Sequence, residues 1–360
     1  MTPRPAFWRG KSVLITGHTG FKGSWLSLCL DALGAHVHGF ALKPPTRPSL
    51  YEMVELGKRI AAVEGDVRDY GAFRSMLLES RPEIIFHLAA QSLVRRSYRE
   101  PLETYSTNVM GTVHLLEAVR ELKLECAVIN VTSDKCYEND DLQHRYREDD
   151  RLGGKDPYSN SKACAELVTS AYRESFFAVA DIPGPRVSLA SARAGNVIGG
   201  GDWAADRLLP DCVRAILSGE AIRIRNPDAL RPWQHVLDPL CGYMLLAEEL
   251  CGDARVFSRG WNFGPDEVDS WPVGMIVAKI VELWRDSGGN PVQVDLETER
   301  QPHEARRLEL DCTLAKEKLG WRPALPLATA LEWTVDWYRR VARGESAAAV
   351  TAAQIERFLN

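Results

Sequence analysis

The chain has 360 residues, of which 45% are apolar and 26% are charged, and its formal net charge at pH 7 is -5. This length and composition predict a large buried core in one domain or in two fused domains. Basic and acidic residues are interleaved rather than blocked, which argues against a nucleic-acid-binding stripe and against a polybasic membrane anchor. An anionic ligand would therefore have to be held by local groups.

The cysteines and the N-terminal residues indicate a cellular compartment. Eight cysteines are spread along the chain with no Cys-x-x-Cys pair, a pattern typical of buried thiols in a reducing environment. Residues 1–11 contain charges and prolines but no apolar segment of signal-peptide length, and no later apolar run is long enough to cross a membrane. We therefore expect a soluble cytoplasmic protein.

From Ser12 onward, short β-branched runs alternate with longer amphipathic stretches. This alternation is typical of βαβ units and predicts an α/β fold, a Rossmann-like doubly wound parallel sheet with a smaller C-terminal substrate-binding lobe. The predicted strands are 12–16, 36–41, 60–64, 84–88, 127–132 and 187–192. The predicted helices are 21–33, 70–79, 101–122, 156–177, 208–218, 238–250, 273–284 and 327–343, with a terminal helix near 347–353.

The alternation fades after about Gly195, where a segment rich in Gly, Pro, Trp and Arg begins. This change predicts two units. Residues 1–194 would form a dinucleotide-binding domain that also carries the catalytic residues, and residues 195–360 would mainly bind substrate while being interleaved with the last strands of the sheet.

The first predicted strand runs into a glycine-rich turn of the form GxxGxxG, which opens the first long helix. Such glycines let the backbone come close to a pyrophosphate, and the amides of the helix N-terminus then point at the phosphates. The position of the turn at the first strand-to-helix junction favours a dinucleotide site over an ordinary tight turn. The expected cofactor contacts from this turn are Gly17, His18, Gly20, Phe21, Lys22 and Gly23.

The ends of the next strands complete the expected cofactor site. Asp66 and Val67 follow the third strand and would suit the adenine edge, although a turn or cap role for Asp66 is an open alternative. Small side chains of the 88–90 segment, Leu88, Ala89 and Ala90, leave room for a dinucleotide after the fourth strand. NAD is the expected cofactor. The acidic residue that usually ends the second strand of an NAD site is missing, and Lys43 or Arg47 could accept a 2′-phosphate, so NADP stays open.

Three residues form a candidate redox set. Tyr158 precedes Lys162 by one helical turn, and Ser133 ends the fifth predicted strand. The ammonium group of Lys162 can lower the pKa of the phenol and can also hold the ribose. Tyr158 is therefore a candidate general base for a sugar hydroxyl, with Ser133 as a hydrogen-bonding partner of the same hydroxyl.

Asp134 and Lys135 follow Ser133 directly. An exposed Asp-Lys at a strand end is commonly a solvated turn, and this alternative stays open. In open α/β sheets, however, substrates lie beyond the carboxyl ends of the strands. A 4-keto sugar has an acidic proton on C5; a neutral Lys135 could remove it while a protonated Asp134 donates to the departing 6-hydroxyl. The pair therefore predicts a β-elimination.

These residues resemble the extended short-chain dehydrogenase/reductase family and, within it, the nucleotide-sugar 4,6-dehydratases. Most of those dehydratases carry Asp-Glu where this chain has Asp134-Lys135, and the lysine is similar to the subgroup that acts on CDP-glucose. The likeness covers nearly the whole chain. It rests on GHTGFKGSWL (17–26), HLAAQSLVRRSY (87–98), TNVMGTVHLLEAVR (107–120), TSDKCYEN (132–139), DPYSNSKACAEL (156–167), ARAGNVIGGGDWAADRLLPD (192–211), RPWQHVLDPL (231–240) and ELDCTLAKEKLGWRP (309–323).

The resemblance implies roles for individual residues. Asp134 would be the acid for the 6-hydroxyl and Lys135 the base at C5, while Ser133, Tyr158 and Lys162 would form the redox set. The hydride would return to C6, so that a bound cofactor is regenerated in each turnover. Further contacts are implied for Thr107 with the cofactor, and for Asn196, Arg207, Leu208, Arg231, Arg193 and His303 with a nucleotide-sugar substrate.

Three points stay open after this resemblance. A structural salt bridge is the alternative role for Arg193 and Arg231. The resemblance implies a homodimer in which the helices predicted at 101–122 and 156–177 pair as a four-helix bundle, with a tetramer as the larger alternative. Two other functions also stay open. A sugar 4-epimerase or decarboxylase of the same fold would not need the Asp134-Lys135 pair. A non-catalytic dinucleotide-binding regulator would need none of the catalytic residues. The Asp134-Lys135 pair disfavours the former, and the intact redox set disfavours the latter.

Overall fold

The computed structural model describes residues 1–139, 144–177, 187–286, 292–296 and 308–360. None of the helices in this part of the chain is both long enough and apolar enough to cross a membrane. The strands are β1 (Ser12–Thr16), β2 (His36–Ala41), β3 (Ala61–Glu64), β4 (Ile84–His87), β5 (Cys126–Val131), β6 (Arg145–Tyr146), β7 (Val187–Ala194), β8 (Asn196–Ile198), β9 (Ile222–Ile224), β10 (Leu230–His235), β11 (Gly260–Phe263), β12 (Ser270–Pro272), β13 (Val294–Leu296) and β14 (Glu309–Leu310).

The helices surround these strands and include several short ones. They are α1 (Pro5–Trp8), α2 (Phe21–Ala32), α3 (Leu50–Met53), α4 (Tyr70–Ser80), α5 (Val94–Arg99), α6 (Pro101–Tyr105), α7 (Gly111–Glu121), α8 (Pro157–Tyr172), α9 (Leu208–Ser218), α10 (Leu237–Gly252), α11 (Ala254–Phe257), α12 (Val273–Asp286), α13 (Thr313–Lys318), α14 (Leu327–Ala342) and α15 (Ala347–Leu359). Short 3-10 turns lie at Leu56–Lys58, Asp134–Cys136 and Glu267–Asp269, and π turns lie at Ser106–Met110 and Arg173–Phe177.

Seven strands form one parallel sheet in the order β11-β7-β5-β4-β1-β2-β3. The chain first builds outward from β1 to β3 and then restarts at β4 on the other side of β1. This reversal of strand order between β1 and β4 is the point where doubly wound sheets bind ligands. The predicted Rossmann-like parallel sheet is confirmed.

Both faces of the sheet are covered, which explains why its strands read as continuous apolar runs. In β4, Ile84 and Phe86 point into one core cluster, whereas Ile85 points into the other. The second cluster packs α4 and α7 against the sheet through Phe73 and Leu116. These two layers hold the carboxyl ends of the strands rigidly at one edge.

The second half of the chain forms smaller sheets and one strand of the large sheet. A three-stranded sheet has the order β12-β10-β8, and the pairs β13-β9 and β14-β6 complete the set. Strand β11, which the sequence analysis did not predict, returns to the large sheet and pairs in parallel with β7. The division into residues 1–194 and 195–360 stays a prediction.

Candidate active site

The glycine-rich turn presses the start of α2 against the end of β4. Gly17 has a φ of 76°, and a Cβ added to it would lie 2.8 Å from the backbone nitrogen of Ala89. A Cβ on Gly23 would lie 2.2 Å from the carbonyl oxygen of Gly17. Gly20 is the N-cap of α2 and supplies no side-chain acceptor, so the first amides of this twelve-residue helix are left for an anionic ligand. The turn therefore fits a pyrophosphate.

A cleft of about 1060 Å³ opens from this turn along the carboxyl ends of the strands. Its volume exceeds that of a typical drug-sized pocket, of roughly 300–1,000 Å³, and leaves room for a dinucleotide beside a second ligand. The predicted site residues that line it are Gly17, Gly20, Phe21, Lys22, Gly23, Asp66, Val67, Leu88, Ala89, Ala90, Thr107, Ser133, Asp134, Lys135, Tyr158, Lys162, Asn196, Arg207, Leu208 and Arg231.

The side chain of His18 does not line this cleft, and the contact of this residue with the cofactor stays a prediction. Its ring is buried and packs edge-on against Tyr51, with 5.5 Å between the ring centroids. A Cβ on Gly39 of β2 would lie 2.5 Å from the same ring. Burial lowers the pKa of His18 to about 4. The ring is therefore a neutral packing group beneath the turn.

Arg193 also faces away from the cleft, which corrects its predicted role at the phosphates. Its Nη2 atom donates to Glu166 Oε2 at 2.7 Å, and its Nη1 atom donates to the hydroxyl of Tyr137 at 2.8 Å. The guanidinium is buried behind the strand ends, where Glu166 neutralises its charge. The alternative of a structural salt bridge therefore holds for Arg193. His303 lies outside the described residues.

Helix α8 places the candidate tyrosine and lysine on one buried face. Asp156 caps the helix by accepting from the amide of Ser159 at 2.9 Å, a contact of a type that stabilises a helix by about 1 kcal/mol. Tyr158 and Lys162 follow one turn apart, and both are buried. The ammonium group of Lys162 donates to the carbonyl of Val131, the last residue of β5, at 3.3 Å. The helix is thus fastened to the end of β5, two residues before Ser133.

The phenol and the ammonium group respond to burial in opposite directions. Burial raises the pKa of Tyr158 to about 12, although a hydrogen bond with Ser133 opposes that rise. Burial lowers the pKa of Lys162 to about 8. The expected lowering of the tyrosine pKa by Lys162 is therefore outweighed by desolvation in the protein alone. Ionising the phenol requires additional positive charge in the cleft.

Asp134 and Lys135 lie on a short turn at the end of β5 and both line the cleft. The Lys135 Nζ atom is 3.4 Å from Asp134 Oδ1, which also accepts from the hydroxyl of Ser133 at 2.9 Å. The other carboxyl oxygen, Oδ2, is buried and has no hydrogen-bond partner among the described residues. A Cβ on Gly195 would lie 3.0 Å from Oδ2, so a side chain at this position would crowd the unpartnered oxygen.

Cationic side chains outnumber carboxylates along the cleft. Burial, together with the charge of Arg207, lowers the pKa of Lys22 to about 7. Arg207 itself is held by Asp202 at 3.0 Å and by the hydroxyl of Ser92 at 3.1 Å. A locally positive cleft in a chain of net negative charge fits a ligand with several phosphates.

Several cleft arginines escaped the sequence analysis, and two of them share one carboxylate. Arg95 of α5 and Arg225, which follows β9, approach the same carboxylate, Asp206, at 3.6 Å and 3.1 Å. They come from opposite sides of the cleft, and no local pattern brings them together. Arg95 lies within the motif recognised at 87–98, but the resemblance implied no site role for this arginine.

Two ion pairs lie near the ends of β2 and β3, where the usual acid of an NAD site is missing. Asp66 lines the cleft and pairs with Arg68, while Lys43, at the end of β2, lies 3.8 Å from Glu64 of β3. The pair with Glu64 reduces the positive charge that Lys43 could offer to a 2′-phosphate. This arrangement favours NAD over NADP.

Together the glycine turn, the sheet order and the Tyr158/Lys162 pair define a dinucleotide-dependent enzyme of the short-chain dehydrogenase/reductase class. A family model described as GDP-mannose 4,6 dehydratase matches residues 14–334. The chain belongs to this family.

Proteins similar to this chain include both dehydratases and an epimerase. A CDP-glucose 4,6-dehydratase from Salmonella typhimurium is 51% identical over 98% of both chains. A dTDP-glucose 4,6-dehydratase structure from Streptomyces venezuelae, with NAD bound, has a TM-score of 0.77 at 25% identity and covers 92% of this chain and 98% of its own. A UDP-glucose-4-epimerase from Stenotrophomonas maltophila, also with NAD, has a TM-score of 0.78 at 20% identity, with coverages of 93% and 100%. The fold alone therefore does not separate dehydratases from epimerases.

Proposed function

We propose that this protein is an NAD-dependent CDP-glucose 4,6-dehydratase that converts CDP-D-glucose to CDP-4-keto-6-deoxy-D-glucose and water. The observation that carries the proposal is the Asp134–Lys135 pair, which lines the same cleft as Tyr158 and Lys162. An epimerase needs the tyrosine and lysine alone, whereas an elimination also needs an acid and a base. The 51% identity to the Salmonella enzyme over nearly the full length supports the choice of sugar nucleotide.

The residues of the cleft fit a dinucleotide without rearrangement of the turn. The α2 amides and the close approach of Gly17 to Ala89 suit the pyrophosphate, and Lys162 suits the nicotinamide ribose. NAD, when bound, accepts the hydride from C4 of the sugar and later returns it to C6. Bound NAD would also add positive charge to the cleft, which would favour ionisation of the Tyr158 phenol.

Tyr158 accepts the proton of the 4-hydroxyl in the first step. Its ring is held by burial, and its backbone N–H donates to the hydroxyl of Ser97 at 3.1 Å. Ser133 supports the ionised phenol by a hydrogen bond that lowers the tyrosine pKa against the effect of burial. The sugar is left with a carbonyl at C4, which acidifies the proton on C5.

The Asp134–Lys135 pair then removes water. The elimination needs a proton on the carboxyl group and a free amine, and our proposal assigns this pattern to the pair at the moment it acts. Oδ1 already accepts two hydrogen bonds, so the acid proton belongs on the unpartnered Oδ2. Lys135 takes the C5 proton and Asp134 protonates the leaving 6-hydroxyl. Lys135 gives a proton back to C5 as the hydride reaches C6, and the proton held by Tyr158 is exchanged back to Asp134.

The second half of the cleft binds the nucleotide diphosphate in this proposal. Residues 195–360 supply most of these contacts, and residues 1–194 hold the cofactor. Asn196, Leu208 and Arg231 line the cleft beyond the catalytic turn. Arg207 and Arg225 are each held by a carboxylate, Asp202 and Asp206, and phosphate oxygens can replace such carboxylates as bidentate partners of arginine.

The proposed activity is tested by offering the purified protein four glucose nucleotides with NAD: the CDP, dTDP, UDP and GDP derivatives. We expect CDP-glucose to give a 4-keto-6-deoxy product, measured by its base-induced absorbance and by the loss of one water in its mass. A product of unchanged mass that is inverted at C4 would instead establish an epimerase. Preference for another base would leave the dehydratase chemistry and overturn the choice of nucleotide.

The protein acts as a homodimer in the cytoplasm in our proposal. Its cysteines are free thiols in the structure, which suits a reducing compartment. Apolar side chains are exposed along adjacent parts of α5, α6, the following π turn and α8, with Leu102 87% and Leu167 57% exposed. A contiguous exposed apolar patch marks an interaction site. The patch consists of Tyr98, Leu102, Tyr105, Met110, Leu167 and Phe176.

Replacing both Leu102 and Leu167 with glutamate is expected to give a monomer, because four charges would then meet in the apolar interface of each dimer. Sedimentation velocity of the wild type and the variant measures the change directly. The matched control is Leu78→Glu, an exposed leucine on α4 outside this patch, which should leave the dimer intact. An unchanged sedimentation coefficient for the double variant would mean that the subunits associate elsewhere.

A further inference from the structure

A buried carboxylate lies one helical turn beyond Lys162 on α8. Glu166 accepts hydrogen bonds from Thr132 Oγ1, from Ser191 Oγ at 2.6 Å and from Arg193 Nη2 at 2.7 Å. Burial alone would raise the pKa of this carboxyl group, but the charge of Arg193 and the three hydrogen bonds together hold it below its ordinary value. Glu166 is therefore a buried anion with a complete set of partners.

The contacts continue from Glu166 to the other side of the catalytic turn. Arg193 donates to the hydroxyl of Tyr137 at 2.8 Å, and that hydroxyl donates to Asn262 Oδ1 at 2.7 Å. Thr132 and Tyr137 flank the segment that carries Ser133, Asp134 and Lys135. The turn is therefore held on one side by Thr132 and on the other by Tyr137. Both residues are hydrogen-bonded to the Glu166–Arg193 ion pair.

Glu166 does not line the cleft and cannot touch a sugar. Its ion pair with Arg193 is almost fully buried, with 3% and 5% of the two side chains exposed. Such a pair costs desolvation free energy and is weak evidence for a gain in stability over apolar residues. Its location, behind the catalytic turn and on the same helix face as Tyr158 and Lys162, indicates a role in placing them.

We propose that Glu166 is a positioning residue that, through Thr132 and Arg193, holds the acid–base turn at 133–135 in register with the Tyr158/Lys162 face of α8. This inference rests on the proposed function, because it assumes that both groups act on one hexose. Glu166 contacts Thr132, which precedes the turn, and Arg193 contacts Tyr137, which follows it. Loss of the charge would let the turn and the helix move independently.

The same carboxylate also acts on Lys162 through space. Its negative charge raises the pKa of Lys162 against burial, which is the larger effect and lowers it. The other groups that face Lys162 are Cys136 of the catalytic turn, His87 at the end of β4 and Lys22 of α2. His87 is neutral, because burial lowers its pKa to about 3. Glu166 is therefore the fixed anion nearest to Lys162 among these groups.

The first test compares Glu166→Gln with the wild type on CDP-glucose and NAD. A displacement of about 1 Å in a catalytic group can cost roughly 100-fold in rate. We therefore expect kcat to fall by about 100-fold, while KM for CDP-glucose changes less than about three-fold because the phosphate-binding arginines are untouched. With the anion removed, the Lys162 pKa falls, so the loss of rate at alkaline pH should begin at a lower pH than in the wild type.

Three further variants separate positioning from folding. Glu166→Gln combined with Arg193→Met removes both buried charges together and should fold, yet stay as slow as the single variant, because the link to Tyr137 is lost. Glu166→Asp keeps the charge and should recover part of the rate and the wild-type pH profile. Glu174→Gln removes an exposed carboxylate from the π turn after α8 and should be unchanged.

Two outcomes overturn the inference. One is a folded Glu166→Gln or double variant with wild-type kcat. The other is a loss of activity that disappears when the assay is run well below the melting temperature of the variant, which would mean that Glu166 stabilises the fold only. Failure of the proposed function would appear separately, as a wild-type protein that does not dehydrate CDP-glucose, and the inference would then fall with it.

Discussion

Replacing Lys135 with alanine is expected to stop the release of water while the sugar is still oxidised at C4. A positioned general base contributes about 10²- to 10⁴-fold to a proton transfer, and we expect formation of the 4-keto-6-deoxy product to slow by that amount. Oxidation depends on Tyr158, Lys162 and Ser133, none of which is held by the Lys135 side chain in the structure. Rapid mixing with CDP-glucose should therefore still produce reduced cofactor, which accumulates because the next step is blocked.

The lysine offers a sharp matched control. Lys135→Arg places a permanent positive charge beside Asp134 but cannot act as a base, because a guanidinium is not deprotonated in proteins. If Lys135 works as a base, both variants lose elimination to a similar extent. Recovery by arginine would mean that the charge alone matters, and simultaneous loss of oxidation and elimination in the alanine variant would mean that Lys135 has been assigned the wrong step. Lys318→Ala, an exposed lysine on α13, should behave as the wild type.

Replacing Tyr158 with phenylalanine is expected to block the first chemical step instead. The ring would keep its place, since it is buried and its backbone N–H is bonded to Ser97, but no phenol would accept the 4-hydroxyl proton. We expect cofactor reduction and overall turnover to fall together by about 10²- to 10⁴-fold. Binding of CDP, measured by calorimetry, should be unchanged, because the proposed phosphate ligands Arg207 and Arg225 are held by Asp202 and Asp206 rather than by the Tyr158 hydroxyl.

The two variants together distinguish the oxidation step from the elimination step. Lys135→Ala separates reduction of the cofactor from product formation, and Tyr158→Phe does not. A Tyr158→Phe protein that still reduces its cofactor at the wild-type rate would remove the tyrosine from the mechanism. Ser133 would then be the remaining hydroxyl within reach of the sugar.

Most of the large sheet could be predicted from the sequence because each strand ends at a local signal. Strands β1 and β2 and helix α9 begin and end where predicted. The β-branched runs, the glycine turn and the Asp-Pro cap before Tyr158 act through neighbouring residues, so a linear reading captures them. The π turn at Ser106–Met110 interrupts a helix that was predicted as continuous, and the one at Arg173–Phe177 forms the last part of another. One extra residue per turn barely alters the apolar periodicity.

What the sequence could not reveal depends on contacts between distant segments. Strand β11 has only four residues and is defined by its pairing with β7, far away in the chain. Arg193 was assigned to the phosphates because its motif lies near the substrate, but alternation along β7 puts it on the side of Ser191, facing Glu166. His18 was turned inward by the space that Gly39 leaves in β2. The sequence reveals the residue type at these positions but not the direction in which the side chain points.

The central claim is that the acid–base pair, the tyrosine and the nicotinamide act on one hexose within a single turnover. The most direct test uses CDP-glucose carrying deuterium at C4, with the product examined by proton NMR. The account predicts that the deuterium appears in the C6 methyl group of the product. Deuterium found again at C4, or lost to solvent, would contradict it.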